Sequence, residues 1–207
     1  MGLHWENQQI MIVGMGKSGL AAALLLAQLG AIPMIVDQKS QEHFTKEMEI
    51  LSPYPVQWYL GENPENLLDK VEKIVISPGV PIQAPFIVRA KEKNISVIGE
   101  MELGYQIAQG EMIAITGTNG KTTTTTLVGE ILKNAGRLTH VVGNIGHPYS
   151  AIALKSKKTD SIVAEVSSFQ LESIESFHPK IAAVLNITPD HLDRHGTMEN
   201  YIALKKR

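Results

Sequence analysis

Two glycine-rich segments, each followed by or containing a lysine, carry the residue types that handle phosphate. In the sharper one, Gly117-Thr118-Asn119-Gly120-Lys121-Thr122 follows the apolar run Met112 to Ile115 and opens a stretch of helical spacing. Backbone N–H groups of such a loop cradle phosphates, the lysine pairs with the β and γ oxygens, and the first hydroxyl reaches Mg²⁺. Lys121 and Thr122 occupy those two positions, with Thr123 next in line. The loop departs from the usual G-x-x-x-x-G-K-[ST], because Ile115 stands where the first glycine should be. Five threonines, Thr122 to Thr126, begin the helix. β-Branched residues lose rotamer freedom there, so the run costs helix propensity. A local rule broken beside a phosphate loop points to function. The plain alternative is a Gly-Lys turn with an exposed lysine.

The other loop, Gly14-Met15-Gly16-Lys17-Ser18-Gly19, fits G-x-G-x-x-G between the strand-like Ile10 to Val13 and a helix-like run. Asp37 ends the next strand, 18 residues after the last glycine. By spacing alone this is a dinucleotide site, with backbone N–H groups on a pyrophosphate and Asp37 on a ribose hydroxyl. A ligand-free structural turn is the competing reading. A Walker loop is excluded, since Met11 holds the position of its first glycine.

Mg²⁺ bound with a nucleotide prefers a few carboxylates plus water. Glu165 lies near the end of the strand Ser161 to Val166, and Asp190-His191-Leu192-Asp193 follows the strand Ile181 to Ile187. Both fall on the carboxyl side, where ligands collect in open α/β sheets. Alone, Glu165 reads as a solvated residue and His191 as a structural hydrogen-bonding group. Beside a phosphate loop, both become candidates for metal or phosphate contact. Lys205 carries no signal of its own.

The elements that must position these residues alternate as strands and helices over nearly the whole chain. Ile32 to Val36, Val71 to Ile76 and Ser96 to Ile98 continue the first series, with Lys17 to Leu29 as a helix stopped by Gly30. Met112 to Ile115, Leu138 to Val142, Ser161 to Val166 and Ile181 to Ile187 make the second. Its first helix shows Leu127, Val128, Ile131, Leu132 and Ala135 as one apolar face, expected to be buried. Two βα series, each opening with a glycine loop, predict two doubly wound α/β domains joined within Ile98 to Gly110. The segment Thr197 to Arg207 reads as a helix, and about four strands in the second series suggest an incomplete sheet.

Composition narrows the class. The 43% apolar content suffices for a core, and 19% charge is too little for a disordered tail. A net charge of −2 with both signs scattered gives no basic face, so no nucleic-acid partner is expected. With no cysteine, disulfides, thiolate catalysis and zinc-thiolate sites are out. No stretch is long enough to span a bilayer and no signal peptide is legible, so a cytoplasmic protein without membrane association is expected.

Taken together the motifs resemble the Mur ligase family over the whole chain. The resemblance rests on Gly14 to Gly19, Ser77-Pro78-Gly79-Val80, Gly99-Glu100-Met101-Glu102-Leu103 and Thr116 to Thr123. It continues in Gly143-Asn144-Ile145-Gly146, Glu165-Val166-Ser167-Ser168-Phe169-Gln170-Leu171-Glu172 and Asp190 to Arg194. The Ser167 to Glu172 run resembles the D-glutamate-adding branch in particular.

That resemblance implies a Rossmann-like UDP-sugar-binding domain over residues 1–98 and part of a P-loop-type ATPase domain over 99–207, with the family's C-terminal domain absent. Gly16, Lys17 and Ser18 would then meet the substrate pyrophosphate, Asp37 would lie near the uracil, and Ser77 and Gly79 would line the pocket. Asn144 is implied on the substrate side of the cleft. Gly117, Thr118, Asn119, Gly120, Lys121, Thr122 and Thr123 would hold ATP, while Thr122, Glu165 and His191 would reach Mg²⁺. Aligning Tyr201-Ile202-Ala203-Leu204-Lys205 with the family's carbamylated lysine implies that Lys205, once carbamylated, is a further ligand. Lys121, His191 and Lys205 are thereby the implied catalytic residues. The implied substrates are UDP-N-acetylmuramoyl-L-alanine and D-glutamate, and the implied reaction is amide-bond formation through an acyl phosphate. The 207-residue chain alone is expected to bind ligands without turning them over. A nicotinamide-dependent oxidoreductase, supported by the first loop and Asp37, and a non-catalytic nucleotide-binding fragment remain the rivals.

Overall fold

A computed structural model describes residues 4–207. The chain forms two compact units that divide between Leu103 and Gly104. Each is an α/β unit built on a parallel sheet.

The first contains β1 (Gln9–Val13), α1 (Lys17–Gln28), β2 (Ile32–Asp37), α2 (Thr45–Leu51), β3 (Gln57–Leu60), β4 (Lys73–Ile76), α3 (Pro85–Glu92) and β5 (Ser96–Gly99). All strands are parallel in the order β3-β2-β1-β4-β5. The chain builds outward from β1 through β2 to β3, then crosses to β4 and β5. The carboxyl ends of β1 and β4 are therefore the point where the strand order reverses and a ligand crevice opens. Ile10, Met11 and Ile12 of β1 are fully buried, as the continuous apolar run requires in a sheet covered on both faces. β3 has no counterpart in the sequence reading. It is a four-residue edge strand with half-exposed side chains, so it lacks the apolar run that marks the central strands.

The chain passes through α4 (Glu100–Ile107) into the second unit. There β6 (Glu111–Thr116), α5 (Lys121–Asn134), β7 (Thr139–Gly143), β8 (Ser161–Glu165), α6 (Ser168–Leu171), β9 (Ile181–Val184), α7 (Leu192–His195) and α8 (Met198–Lys206) follow. The sheet order is β7-β8-β6-β9, again parallel throughout. β6 thus delivers the phosphate loop between β8 and β9.

Two expectations are corrected here. The stripe Leu127, Val128, Ile131, Leu132 and Ala135 is not the buried face of α5: Leu127 is 57% exposed and Ile131 56%. The helix seats instead through Thr125 and Gly129. At Gly129 a Cβ would lie 2.5 Å from Val141 Cγ2, so a small residue sets the approach of helix to sheet. The last strand also stops at Val184, short of Ile187. Leu185 N still donates to Thr116 O at the end of β6, and from Asn186 onward the backbone bonds to the phosphate loop instead of extending the sheet. Among the described residues no helix is long and apolar enough to cross a membrane.

Candidate functional site

The second glycine loop joins the carboxyl end of β6 to α5. Gly120 adopts φ +81°, a left-handed conformation that side chains resist, and it directly precedes the helix. No side chain caps α5 and its first turn contains no acidic residue. Its leading N–H groups and the positive end of the helix dipole are left for an anion.

The chemical side chains gather at this point. Lys121 Nζ donates to Thr118 O at 2.8 Å, laying the ammonium over the loop. Thr122 Oγ1 donates to Glu165 Oε2 at 2.8 Å, and Asn144 Nδ2 donates to Glu165 Oε1, also at 2.8 Å. The Asn144 N–H donates in turn to Glu165 O. Glu165 is 1% exposed at the end of β8. The adjacency of β6, β7 and β8 brings these groups together, with Ile115 and Gly143 both in register with Glu165. Thr123, one residue on in α5, is exposed.

Lys205 is buried at the base of the same loop. Its Nζ donates to Thr116 Oγ1 at 3.2 Å and lies 4.8 Å from the centre of the Tyr201 ring. Burial, reinforced by the nearby Lys121 ammonium and opposed by Asp190, pushes its pKa down to about 8. His191 is held differently. It takes a left-handed φ of +52°, a strained choice for a residue with a side chain. Its ring lies tilted against Phe169, with centroids 4.8 Å apart, and its Nε2 lies 3.5 Å from Asp190 Oδ2. Thr122, Glu165 and Asn144 therefore form one hydrogen-bonded cluster, Lys121 precedes Thr122 and bonds back to Thr118, Lys205 bonds to Thr116 at the end of β6, and the His191 side chain contacts Asp190 and Phe169.

Sequence reasoning passed over Asn186. Its side chain brackets Asn119, accepting from Asn119 N at 2.9 Å and donating to Asn119 O at 3.0 Å. A polar residue just past a strand, on the carboxyl edge, was the available signal. A second unread group supports the Asp-His segment. Arg194 makes two hydrogen bonds to Glu172, through Nε at 3.2 Å and Nη2 at 2.7 Å. His195, which is buried, reaches Ser168 Oγ at 2.9 Å.

In the first unit the glycine loop packs tightly where it meets α1. A Cβ at Gly19 would sit 2.0 Å from Gly14 O, so only glycine allows this approach. At Gly16 a Cβ would meet nothing within 4 Å, which leaves that backbone open from outside. Lys17 and Ser18 begin α1, whose N-terminus has no side-chain cap. Asp37 accepts from Met15 N at 2.8 Å and from Lys39 N at 3.0 Å, and Ser77 Oγ donates to Gly14 O at 2.7 Å. Both side chains thus hold the loop itself. An open cleft of about 830 Å³ lies at this edge, lined among others by Gly14, Asp37, Asn63, Gly79 and Phe86. Its lining includes Asp37 and Gly79 but not Gly16, Lys17, Ser18 or Ser77.

Among the described residues no three His, Asp or Glu side chains converge as a ready-made metal cage. Mg²⁺ does not require one, since it binds through one or two carboxylates and keeps water and phosphate oxygens as its other ligands. The Thr122 hydroxyl and Glu165 carboxylate, 2.8 Å apart beside the loop, are hard oxygen donors that fit this pattern.

Residues 8–99 match the Mur ligase MurD-like N-terminal domain, and residues 115–207 match the Mur ligase middle domain. The UDP-N-acetylmuramoylalanine–D-glutamate ligase of Alkaliphilus oremlandii is 50% identical over 201 residues, which are 96% of this chain and 44% of that protein. The proteins of the same name from Koribacter versatilis and Caldanaerobacter subterraneus are 48% and 45% identical, covering 98% and 99% of the chain and 45% and 46% of their own lengths. The chain therefore spans about half the length of the curated relatives it matches. Among solved structures, a UDP-N-acetylmuramate:L-alanyl-gamma-D-glutamyl-meso-diaminopimelate ligase from Neisseria meningitides aligns with TM-score 0.60 at 18% identity, covering 96% of this chain and 66% of that one. A murein peptide ligase from Psychrobacter arcticus aligns with TM-score 0.57, also at 18% identity, covering 96% of this chain and 46% of that one. At that identity the likeness speaks to the fold alone. With one domain type matched in each unit and relatives at half identity along nearly its full length, the chain belongs to the Mur ligase family.

Proposed function

We propose that this chain forms the substrate- and nucleotide-binding front of an ATP-dependent ligase that adds D-glutamate to UDP-N-acetylmuramoyl-L-alanine in the cytoplasm. The observation that carries the nucleotide half is the cluster of Lys121, Thr122 and Glu165 at the uncapped start of α5. Residues 99–207 would bind ATP, and residues 1–98 would bind the UDP end of the sugar substrate in the cleft beside Asp37 and Gly79. The substrate assignment draws on the names of relatives at 45–50% identity.

In this reading the L-alanyl carboxylate takes the γ-phosphoryl group of ATP, releasing ADP and leaving an acyl phosphate. The amine of D-glutamate attacks the activated carbonyl, and loss of phosphate completes the amide. Lys121 would neutralise charge on the transferring phosphoryl group, and the α5 amides would orient it. Thr122 and Glu165 would hold Mg²⁺, which when bound offsets the charge of the phosphate oxygens. The buried Lys205, with a pKa near 8, spends part of its time as a free amine at neutral pH. Its nitrogen lone pair can add to the carbon of CO₂ and lose a proton, turning a cation into a carbamate oxygen donor. His191 would supply a further contact to the metal.

Titration calorimetry of this chain with ADP–Mg²⁺, with UDP-N-acetylmuramoyl-L-alanine and with NAD⁺ tests the assignment. Binding of the first two is expected. Failure of both, or preference for NAD⁺ over the UDP-sugar, would overturn it.

A further inference from the structure

The hydrogen bonds of the phosphate loop divide it into two halves. Its first half is stitched to the segment that leaves β9. Thr118 N donates to Asn186 O at 3.0 Å, and Asn119 N donates to Asn186 Oδ1 at 2.9 Å. Asn186 Nδ2 returns a bond to Asn119 O at 3.0 Å. The Thr118 hydroxyl is also committed, donating to Thr188 O at 3.1 Å and accepting from Thr188 N at 3.0 Å. The backbones lie so close that a Cβ on Gly117 would stand 3.2 Å from Leu185 Cβ and 3.3 Å from Asn186 N. The second half, from Gly120 onward, has no such partner strand. Its N–H groups belong to the first turn of α5, where an α-helix offers no intrahelical acceptor.

We infer that Asn186 is a positioning residue that holds the phosphate loop from the neighbouring strand end, and that the amides receiving phosphate are those of Gly120, Lys121 and Thr122 rather than Thr118 and Asn119. The inference rests on the nucleotide-binding reading of this loop. A primary amide is suited to the task, because it accepts from one backbone group and donates to the other on the same residue. Aspartate cannot reproduce this, since its second oxygen would face Asn119 O. Asn119 thereby loses its N–H as a phosphate donor, and the loop gains a fixed wall against which Lys121 and the helix start are set. Holding donors in place before the ligand arrives lowers the ordering cost of binding.

The wild-type chain, labelled with ¹⁵N, is titrated with inorganic pyrophosphate and with ADP while backbone amide shifts and hydrogen exchange are followed. Large shifts are expected at Gly120, Lys121 and Thr122. The Thr118 and Asn119 amides should be protected before ligand is added and remain so afterwards. Asn186→Ala should weaken ADP and pyrophosphate roughly tenfold, leaving the UDP response of the first unit unchanged. Asn186→Asp should not restore it. If the principal shift falls on Asn119, with loss of its protection, the assignment of amides is wrong while the phosphate site stands. No response to either ligand at any loop amide would overturn the phosphate-binding reading and the inference with it. Equal loss of ADP and UDP binding in Asn186→Ala would reduce its role to general stability.

Discussion

Thr122 Oγ1 and Glu165 Oε2 are 2.8 Å apart although 43 residues separate them in the chain. Glu165 is almost wholly buried and its other oxygen is taken by Asn144 Nδ2. A carboxylate removed from water needs such partners, and these two place it against the first hydroxyl of the phosphate loop.

Glu165→Gln should therefore act through the metal. With Mg²⁺ present, ADP affinity is expected to fall roughly tenfold or more, since a charge-assisted contact is replaced by a neutral one. With the metal chelated, variant and wild type should bind ADP alike. Calorimetry in Mg²⁺ and in EDTA checks both halves, and an equal loss in the two conditions would remove Glu165 from the metal site.

Lys121→Ala removes one hydrogen bond, to Thr118 O, from the ligand-free chain. The thermal midpoint should thus move little while affinity for ADP drops by roughly tenfold or more. A variant that binds ADP normally would show the lysine to be a surface group.

Asp37→Ala strips the acceptor from Met15 N and Lys39 N and should weaken the UDP-sugar roughly tenfold. Calorimetry against UDP-N-acetylmuramoyl-L-alanine and NAD⁺ reads this directly. Unchanged UDP-sugar binding would show that neither the carboxylate nor the loop it holds matters to the ligand.

The depressed pKa of Lys205 predicts reactivity toward CO₂. In ¹³C-bicarbonate a carbamate resonance should grow as pH rises through about 8, where the free amine becomes the major form. It should be missing in Lys205→Arg. A pH-independent spectrum shared by both proteins would exclude the modification in this chain.

His195 gives the stability a sign at acid pH. Its pKa is lowered from 6.5, chiefly because burial strips water from the imidazolium, with Glu172 opposing. The unfolded chain then binds more protons than the folded one between the depressed value and about 6.5, so stability falls as pH drops through that window. His195→Gln should flatten the decline, measured as denaturant midpoint between pH 7 and pH 5. An identical slope would mean the proton is taken up elsewhere.

By itself the sequence determined the local pieces: two βα series, both glycine loops, and the helix stop at Gly30. Each depends on contacts between near neighbours, on the apolar run of a covered strand or on the backbone freedom of glycine, and these signals are complete within a few residues. Only the tertiary structure decided what met what. Asn119 and Asn186 stand 67 positions apart, and β9 reaches the loop because it lies beside β6. Nothing local distinguishes Asn186 from any other polar residue after a strand. The buried side of α5 was likewise settled by close packing. Gly129 against Val141 let the helix seat on small residues, and the leucine and isoleucine stripe that its spacing favoured was left at the surface. The pKa of Lys205 had the same origin, since a lysine on a short helix is ordinary until the fold buries it beside Thr116 and near Lys121.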